Sequence, residues 1–369
     1  IGFLAIYVLT AAPKTVFNEH ILLANALLHG HAWINAPSYM EHAVFRGRDY
    51  IVHAPLSAFI LVPLVALFGP TLSQTSVSTV IGAVTCVLAW RLTSVLDAVS
   101  SRVWLIIFFG IGTTFWYEAT LGNSWDFALV VSTVPTLIAL NELFGHGRPF
   151  VVGIFAGLAF LARYDLVLAW PFYLAAAAVK SRSWKALETI FGFAIAVLVF
   201  IWFNEVRFGT IWDISLTTYA RHDPWLQQRM GGGSPFQLRF LPNNLYTLFF
   251  MAPVLDGRFP YIHPQMQGQA LILTSPAFLL ALQPSFKRAI PLSLLLAACF
   301  SMGPALLVYA NGFQQFGTRY YVQVFPFLLA LMILGVKERG LDQLGRILIV
   351  FSVLLVMFGM WQIRALGYA

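Results

Sequence analysis

Charge is scarce in this chain. Only 10% of its 369 residues are Asp, Glu, Lys or Arg, against 59% apolar residues and a mean hydropathy of +0.78. That balance excludes a soluble globule and describes a polytopic membrane protein. Cysteine is nearly absent as well. Cys86 and Cys299 both lie inside apolar runs, the ordinary setting of a soft buried thiol, so neither a disulfide nor a thiolate metal site is expected. The chain has no D-x-D, no H-E-x-x-H and no Cys/His cluster, and a bound divalent metal is not expected. Gly231 to Gly233 lack the Lys-Ser/Thr of a phosphate-binding P-loop. No repeat, low-complexity tract or linker divides the sequence, so residues 1–369 read as a single membrane domain. The net charge of +7 fits binding to anionic head groups; a nucleic-acid partner is not expected.

What is present are long apolar runs. They are too long for barrel strands and lack strict alternation, and a bilayer leaves only helices as the other way to satisfy the backbone. The expected fold class is therefore all-α. Spans are read near 1–13, 75–96, 103–118, 127–144, 150–162, 166–179, 187–204, 270–284, 290–310, 320–336 and 347–364, about eleven in all. Two shorter, Pro-containing runs, 55–69 and 244–255, read as re-entrant or interfacial elements. The chain opens on Ile1 without a Met, and its first run reads as a span cut at its start.

With that assignment one side receives Arg91, Arg102, Arg148, Lys180, Arg182, Lys185, Lys287, Arg288, Lys337, Arg339 and Arg346. By the positive-inside rule this is the cytoplasmic side. The outer side then receives a first loop, 14–55, a large loop, 205–269, and three short ones at 121–126, 162–165 and 311–319. These loops carry most of the acids and histidines.

The first outer loop holds the clearest local signals. From Asn18, the stretch NEHILLANALLHG has a capping residue at its start, apolar positions at helical spacing and Gly30 at its end, and predicts a short amphipathic helix lying on the membrane. Glu19 then sits at the helix N-terminus, either as a capping acid or as a base. FRGRDY at 45–50 reads as a turn, followed by APL at 54–56. Asp126 in GNSWD is a second acid, with a helix cap as its other reading. Arg163 and Asp165 in ARYD are natural salt-bridge partners. Arg319 at the start of a span either meets an anionic group, which a guanidinium fork suits, or snorkels to the interface. Gly231 to Gly233 would let part of the large loop flex as a lid. Trp33, Trp125 and Trp225 place flat aromatic faces in these outer loops.

The order of these elements resembles the GT-C glycosyltransferases. More narrowly it resembles bacterial relatives of the dolichyl-phosphate-mannose protein mannosyltransferases and of the lipid A aminoarabinose transferase. The likeness rests on the first span, the helix of form LA..LL.G, FRGRDY, APL, and a run ending in FG at 68–69. Later come GLAFLARYD at 157–165, RFG at 207–209, FLPNNLY at 240–246, TSPAFLL at 274–280 and FGTRYYVQVFPFLL at 316–329.

The resemblance implies inverting transfer of a sugar from a polyprenyl-phosphate donor to a glycan, lipid or protein acceptor at the outer face of a bacterial plasma membrane. No cofactor is implied beyond that donor. An outer-loop carboxylate would act as base, and cationic or hydroxyl groups would hold the departing phosphate. The family's acid falls near Val16, one turn before Glu19, so Glu19 is the first candidate base and Asp126 the second. His53 stands where the aminoarabinose transferase relatives carry a Lys. With Arg163, Arg207, Arg319, Tyr320 and Trp125 it completes the expected substrate-binding set. The alternatives are a non-catalytic GT-C-derived scaffold, or a lipid-linked-glycan ligase or flippase. An enzyme should bring Glu19 or Asp126 to the same outer cavity as Arg319 and His53.

Overall fold

The computed structural model describes residues 1–257, 259–310 and 312–365. It is mostly helical, with four short strands in two hairpins. Among the described residues, six helices are long and apolar enough to cross a membrane: Gln74–Val95, Ser124–Phe144, Trp184–Phe208, Ala289–Leu307, Arg319–Arg339 and Gln343–Ala365. A seventh span exists if Val99–Ile111 and Phe115–Leu121, bent by 48°, count as one. The chain is a membrane protein with fewer full spans than the eleven expected. The remaining apolar runs are cut short. The first forms only Gly2–Leu9, and Pro149–Ala162 is a 14-residue helix. The run 270–284 breaks at Ser275, whose extended backbone (φ −144°, ψ 68°) precedes Pro276; proline disfavours helix in the residue before it and cannot donate a bond. Pro171 likewise starts a new helix, Trp170–Ser181, after a 3-10 turn at Tyr164–Ala169.

The Ser124–Phe144 and Arg319–Arg339 helices are the most enclosed, while Trp184–Phe208 and Gln343–Ala365 lie outermost. Helix Pro149–Ala162 packs closely on Glu188–Phe208 through Gly153 and Gly157 on one side and Gly192 and Ala196 on the other. A Cβ at Gly153 would stand 2.2 Å from the Thr189 carbonyl oxygen, and one at Gly192 would stand 2.1 Å from that of Phe150. Four-residue spacing of small residues is how helices without a hydrophobic driving force approach in lipid. Gly192→Val should therefore destabilise the protein by about 1–3 kcal/mol or more through overpacking against backbone, read as a lower melting temperature in detergent; an unchanged melting temperature would refute this contact.

Two features of the first outer loop build the site. His42–Phe45 and Arg48–Ile51 pair antiparallel, with His42 opposite Ile51 and Phe45 opposite Arg48. The turn between them, Arg46 and Gly47, has positive φ at both positions (52° and 73°), the mirror-image turn whose twist suits a two-residue hairpin. Helix Glu19–Leu28 forms as expected and is followed by Gly30 at φ 80°. It does not lie on the surface. It is packed under helix Leu56–Phe68, with Glu19 and His20 fully buried. Its cap also differs, since Asn18 makes no side-chain cap and the Glu19 N–H donates to Ser124 Oγ at 3.0 Å.

Candidate active site

A cavity of about 840 Å³ opens where the Ser124–Phe144 and Phe325–Arg339 helices begin and where Pro149–Ala162 and Glu188–Phe208 end. Helix direction places Arg148, Lys180, Lys185 and Lys337 at the opposite ends of these spans. The cavity gathers charged side chains, among them Glu41, Arg163, Asp165, Asp213, Asp223 and Arg319, in a molecule that is otherwise greasy.

Glu41 reaches it from the segment before the first hairpin, and its Oε2 accepts a hydrogen bond from Trp125 Nε1 at 2.9 Å. Burial pushes the Glu41 carboxyl up from the ordinary range, against the opposing pull of that bond and of Arg319. Arg319 lies with its guanidinium 5.2 Å from the Trp125 ring centre; among the described residues it has no carboxylate within 4.0 Å. Arg163 is differently placed. It donates to Asp165 at 2.9 Å and to Gln323 Oε1 at 3.2 Å, and Gln323 in turn donates to Asp165. The same guanidinium faces the Tyr320 ring at 5.7 Å. His53 lines the wall beside Trp125 and packs against His20 with the rings tilted by 46°, their centres 5.2 Å apart. Burial holds His53 well below the usual imidazole range, helped by His20, Arg163 and Arg319. It is thus neutral at pH 7, and its buried Nε2 has no hydrogen-bond partner among the described residues.

The large loop closes the other side. Helices Ser215–His222 and Pro224–Met230 contribute Tyr219, Asp223, Trp225 and Arg229 to the lining. The following Gly231 and Gly232 adopt positive φ. This flap is tied to the segment after Ala289–Ser301 by two backbone bonds, Gln237 N–H to Leu307 O at 2.9 Å and Tyr309 N–H to Pro235 O at 3.1 Å. A second groove, about 620 Å³ and almost wholly apolar, adjoins the cavity and shares Tyr164, Asp165, Phe236 and Pro304 with it; Val167, Leu168, Cys299, Phe300 and Leu307 line the rest. Val167, Leu168 and Phe300 are exposed, so this groove faces outward.

The structure therefore brings His53, Trp125, Arg163, Arg319 and Tyr320 to one cavity. Glu19, Asp126 and Arg207 are not among its lining residues. Glu19 is fully buried away from it, with no hydrogen-bond partner for either carboxylate oxygen among the described residues. Asp126 is in the first turn of Ser124–Phe144, with Asn123 at the cap position, and lies next to Glu118 and Arg319. Arg207 is a buried pin: it donates to the Ile51 carbonyl, to Asn204 at 2.7 Å and to Asp213 at 2.9 Å, between the rings of Phe203 and Phe208. Its bonds tie the first hairpin and the start of the large loop to the end of Glu188–Phe208.

Sequence reasoning treats Glu41 as a solvated loop charge, because nothing near it shows that the loop folds back over Trp125. Glu118 has a usable signal, an acid inside an apolar run, since such residues in spans are costly and tend to have a task.

No family model matches the sequence, and no curated protein matches it. Among solved structures, the chain is similar to the Archaeoglobus fulgidus oligosaccharyltransferase tethered by a disulfide to an acceptor peptide containing the NVT sequon, with 14% identity and a TM-score of 0.45. The match covers 100% of this chain and 54% of that one, so the chain spans about half the length of that enzyme.

Proposed function

We propose that this chain is a membrane glycosyltransferase that moves a sugar from a polyprenyl-phosphate donor to an acceptor hydroxyl, within the cavity and on the outer face of a bacterial plasma membrane. The observation that carries the reading is the junction of two unlike spaces. A cavity holding charged groups, with a guanidinium that has no carboxylate within 4.0 Å among the described residues and a half-buried carboxylate, shares a wall with an apolar, outward-facing groove. A ligand with a charged phosphate, a polyhydroxylated sugar and a long hydrocarbon tail has the same division. The side follows from the basic residues gathered at the opposite helix ends, and the likeness to GT-C enzymes in the sequence motifs agrees in kind.

The division of labour follows from the partners each group already has. Asp165 is held by Arg163, Asp213 by Arg207 and Ser215, and Asp223 caps a helix by accepting from the Leu226 N–H. Glu41 accepts only from Trp125 among the described residues, which leaves its other oxygen to take the acceptor's proton. As that proton moves to Glu41, the acceptor oxygen attacks the anomeric carbon from the face opposite the phosphate. The bond to the carrier breaks, and the electron pair leaves with the phosphate oxygen. Arg319 meets the charge so released, with Tyr320 and neutral His53 placed to donate hydrogen bonds. Fixed donors aimed at developing charge are the strongest lever available to such a site. Trp125 and Trp225 supply flat faces for the sugar. No metal or resident cofactor takes part in this reading, and 1–369 acts as one domain.

The test is transfer or hydrolysis of a panel of polyprenyl-phosphate sugars by purified protein in lipid vesicles. Wild type should turn over at least one donor, and Arg319→Gln should raise the donor KM about 10- to 100-fold, the loss of a charge-assisted hydrogen bond. Turnover with Arg319→Gln unchanged would overturn the phosphate assignment. No binding of any donor would instead move the scaffold reading ahead.

A further inference from the structure

Helix Leu241–Phe249 is built inside out. Its polar side chains are the enclosed ones: Asn244 is fully buried and donates to the Leu306 and Val308 carbonyls at 3.1 and 2.7 Å, and Thr247, also buried, donates to the Asn243 carbonyl at 3.0 Å. Asn243 and Thr247 line the cavity. The other face is apolar and uncovered, with Leu245, Tyr246, Phe249 and the following Phe250 exposed. A helix facing water on its outer side shows the reverse pattern. The chain that follows keeps this character. Residues 241–255 contain no Asp, Glu, Lys, Arg or His. Val254–Leu255 then pairs antiparallel with Ile262–His263, and the hairpin leaves Leu255 78% and Phe259 74% exposed.

The hairpin is moored to the last span. Phe259 meets Trp361 with ring centres 6.0 Å apart, and Gln362 Nε2 donates to the Ile262 carbonyl. Trp361 lies at the end of Gln343–Ala365 away from Arg346, and Phe351, Leu354 and Met357 before it are exposed on a helix long and apolar enough to cross the membrane. Lipid surrounds those residues, and the Phe259–Trp361 contact joins the hairpin to the same surface. Trp and Tyr gather at this level of a bilayer, where an amphipathic ring is apolar on one side and wet on the other. We propose that Leu241–His263 of the large loop is seated in the outer leaflet, helix and hairpin lying along the interface among the lipids. A single helix then has the cavity on one side and acyl chains on the other. The occupant is lipid, because 241–255 offers no ion pair to a protein partner and the hairpin continues a face that a span already gives to hydrocarbon. Asp256 and His263, 3.8 Å apart, stand at the level of the headgroups.

The test uses the whole protein in vesicles of phosphatidylethanolamine and phosphatidylglycerol, in a Cys299→Ser background that leaves only the buried Cys86. Nitroxide labels at Phe250→Cys and Leu255→Cys should collide with oxygen more often than with a water-soluble nickel chelate, and should report a depth of about 5–10 Å below the headgroup boundary. A label at Gln228→Cys, exposed on the flap, should show the reverse preference. Labels at 250 and 255 that the nickel chelate reaches more readily overturn the proposal. Labels reached by neither reagent overturn it as well, since a second copy or another protein would then cover the face. The unmutated protein gives the same reading with no substitution to disturb folding. A lipid-soluble carbene reagent should modify peptides from 241–263 as it modifies those from 343–365, and sparing of 241–263 alone overturns the proposal.

Discussion

Glu41→Gln should lower kcat by about 10²- to 10⁴-fold, the usual contribution of a positioned general base, while donor KM stays within about threefold. The amide keeps the bond from Trp125 Nε1, so the site's shape survives and only proton acceptance is lost. The pH dependence gives a second, independent signature. Burial raises the Glu41 carboxyl above its ordinary value, which brings it nearer to working pH and makes it a better match for its task. Below that raised pKa the group is protonated and cannot accept. The wild-type rate should therefore fall tenfold per unit on the acid side, with its midpoint above the usual carboxylate range. Glu41→Gln should lose that limb. Glu19→Gln is the control: its carboxyl does not line the cavity, so turnover should stay within a few-fold of wild type. If Glu19→Gln removes turnover and Glu41→Gln does not, the base has been misassigned. Initial rates over pH 4.5 to 8 decide it.

Acid should unfold the protein through His20. This imidazole is fully buried, its Nε2 stands 3.1 Å from the Ser124 carbonyl oxygen, and it packs against His53 and Phe127. Burial pushes its pKa down to about 4 from 6.5. A folded-state value below the unfolded one means the stability is fully present above pH 6.5 and is lost as pH falls towards 4, where the unfolded chain binds the proton first. The shift corresponds to about 3 kcal/mol over that window. His53, also held low, acts in the same direction. Chemical unfolding in micelles at pH 7, 5.5 and 4 should show the decline, and His20→Gln, which can still donate to Ser124, should flatten it. Equal stability at pH 7 and pH 4 in wild type would show that neither imidazole is enclosed as described.

What could be read from sequence depended on how local the cause is. The turn within FRGRDY was legible because Gly47 marks it locally, though the strands that flank it were not expected in an all-α chain; the membrane class was legible because composition needs no partner. Arg163, Arg319, Tyr320, His53 and Trp125 stood out because each sits where an apolar run meets a polar loop, and helix ends of this kind converge on one side. The full spans were overcounted because hydropathy does not register where Ser275-Pro276 or Trp170-Pro171 divides a run. Arg207 looked like a ligand contact and is a pin, since its partners Ile51 and Asp213 come from distant loops. Glu19 looked exposed because an N-terminal acid usually is, and only the packing of Leu56–Phe68 over its helix seals it. Glu41 shows the opposite error, a loop acid carried inward by a fold-back that no pattern announces.

The apolar groove beside the cavity changes what concentration means for this protein. On the proposed reading, a donor that enters through Val167, Leu168 and Phe300 comes sideways out of the leaflet and never from bulk water. The quantity that saturates the site is then the donor's mole fraction in the membrane. Diluting the donor with inert lipid at fixed total amount slows the reaction, while diluting the same vesicles with buffer leaves each one turning over as before.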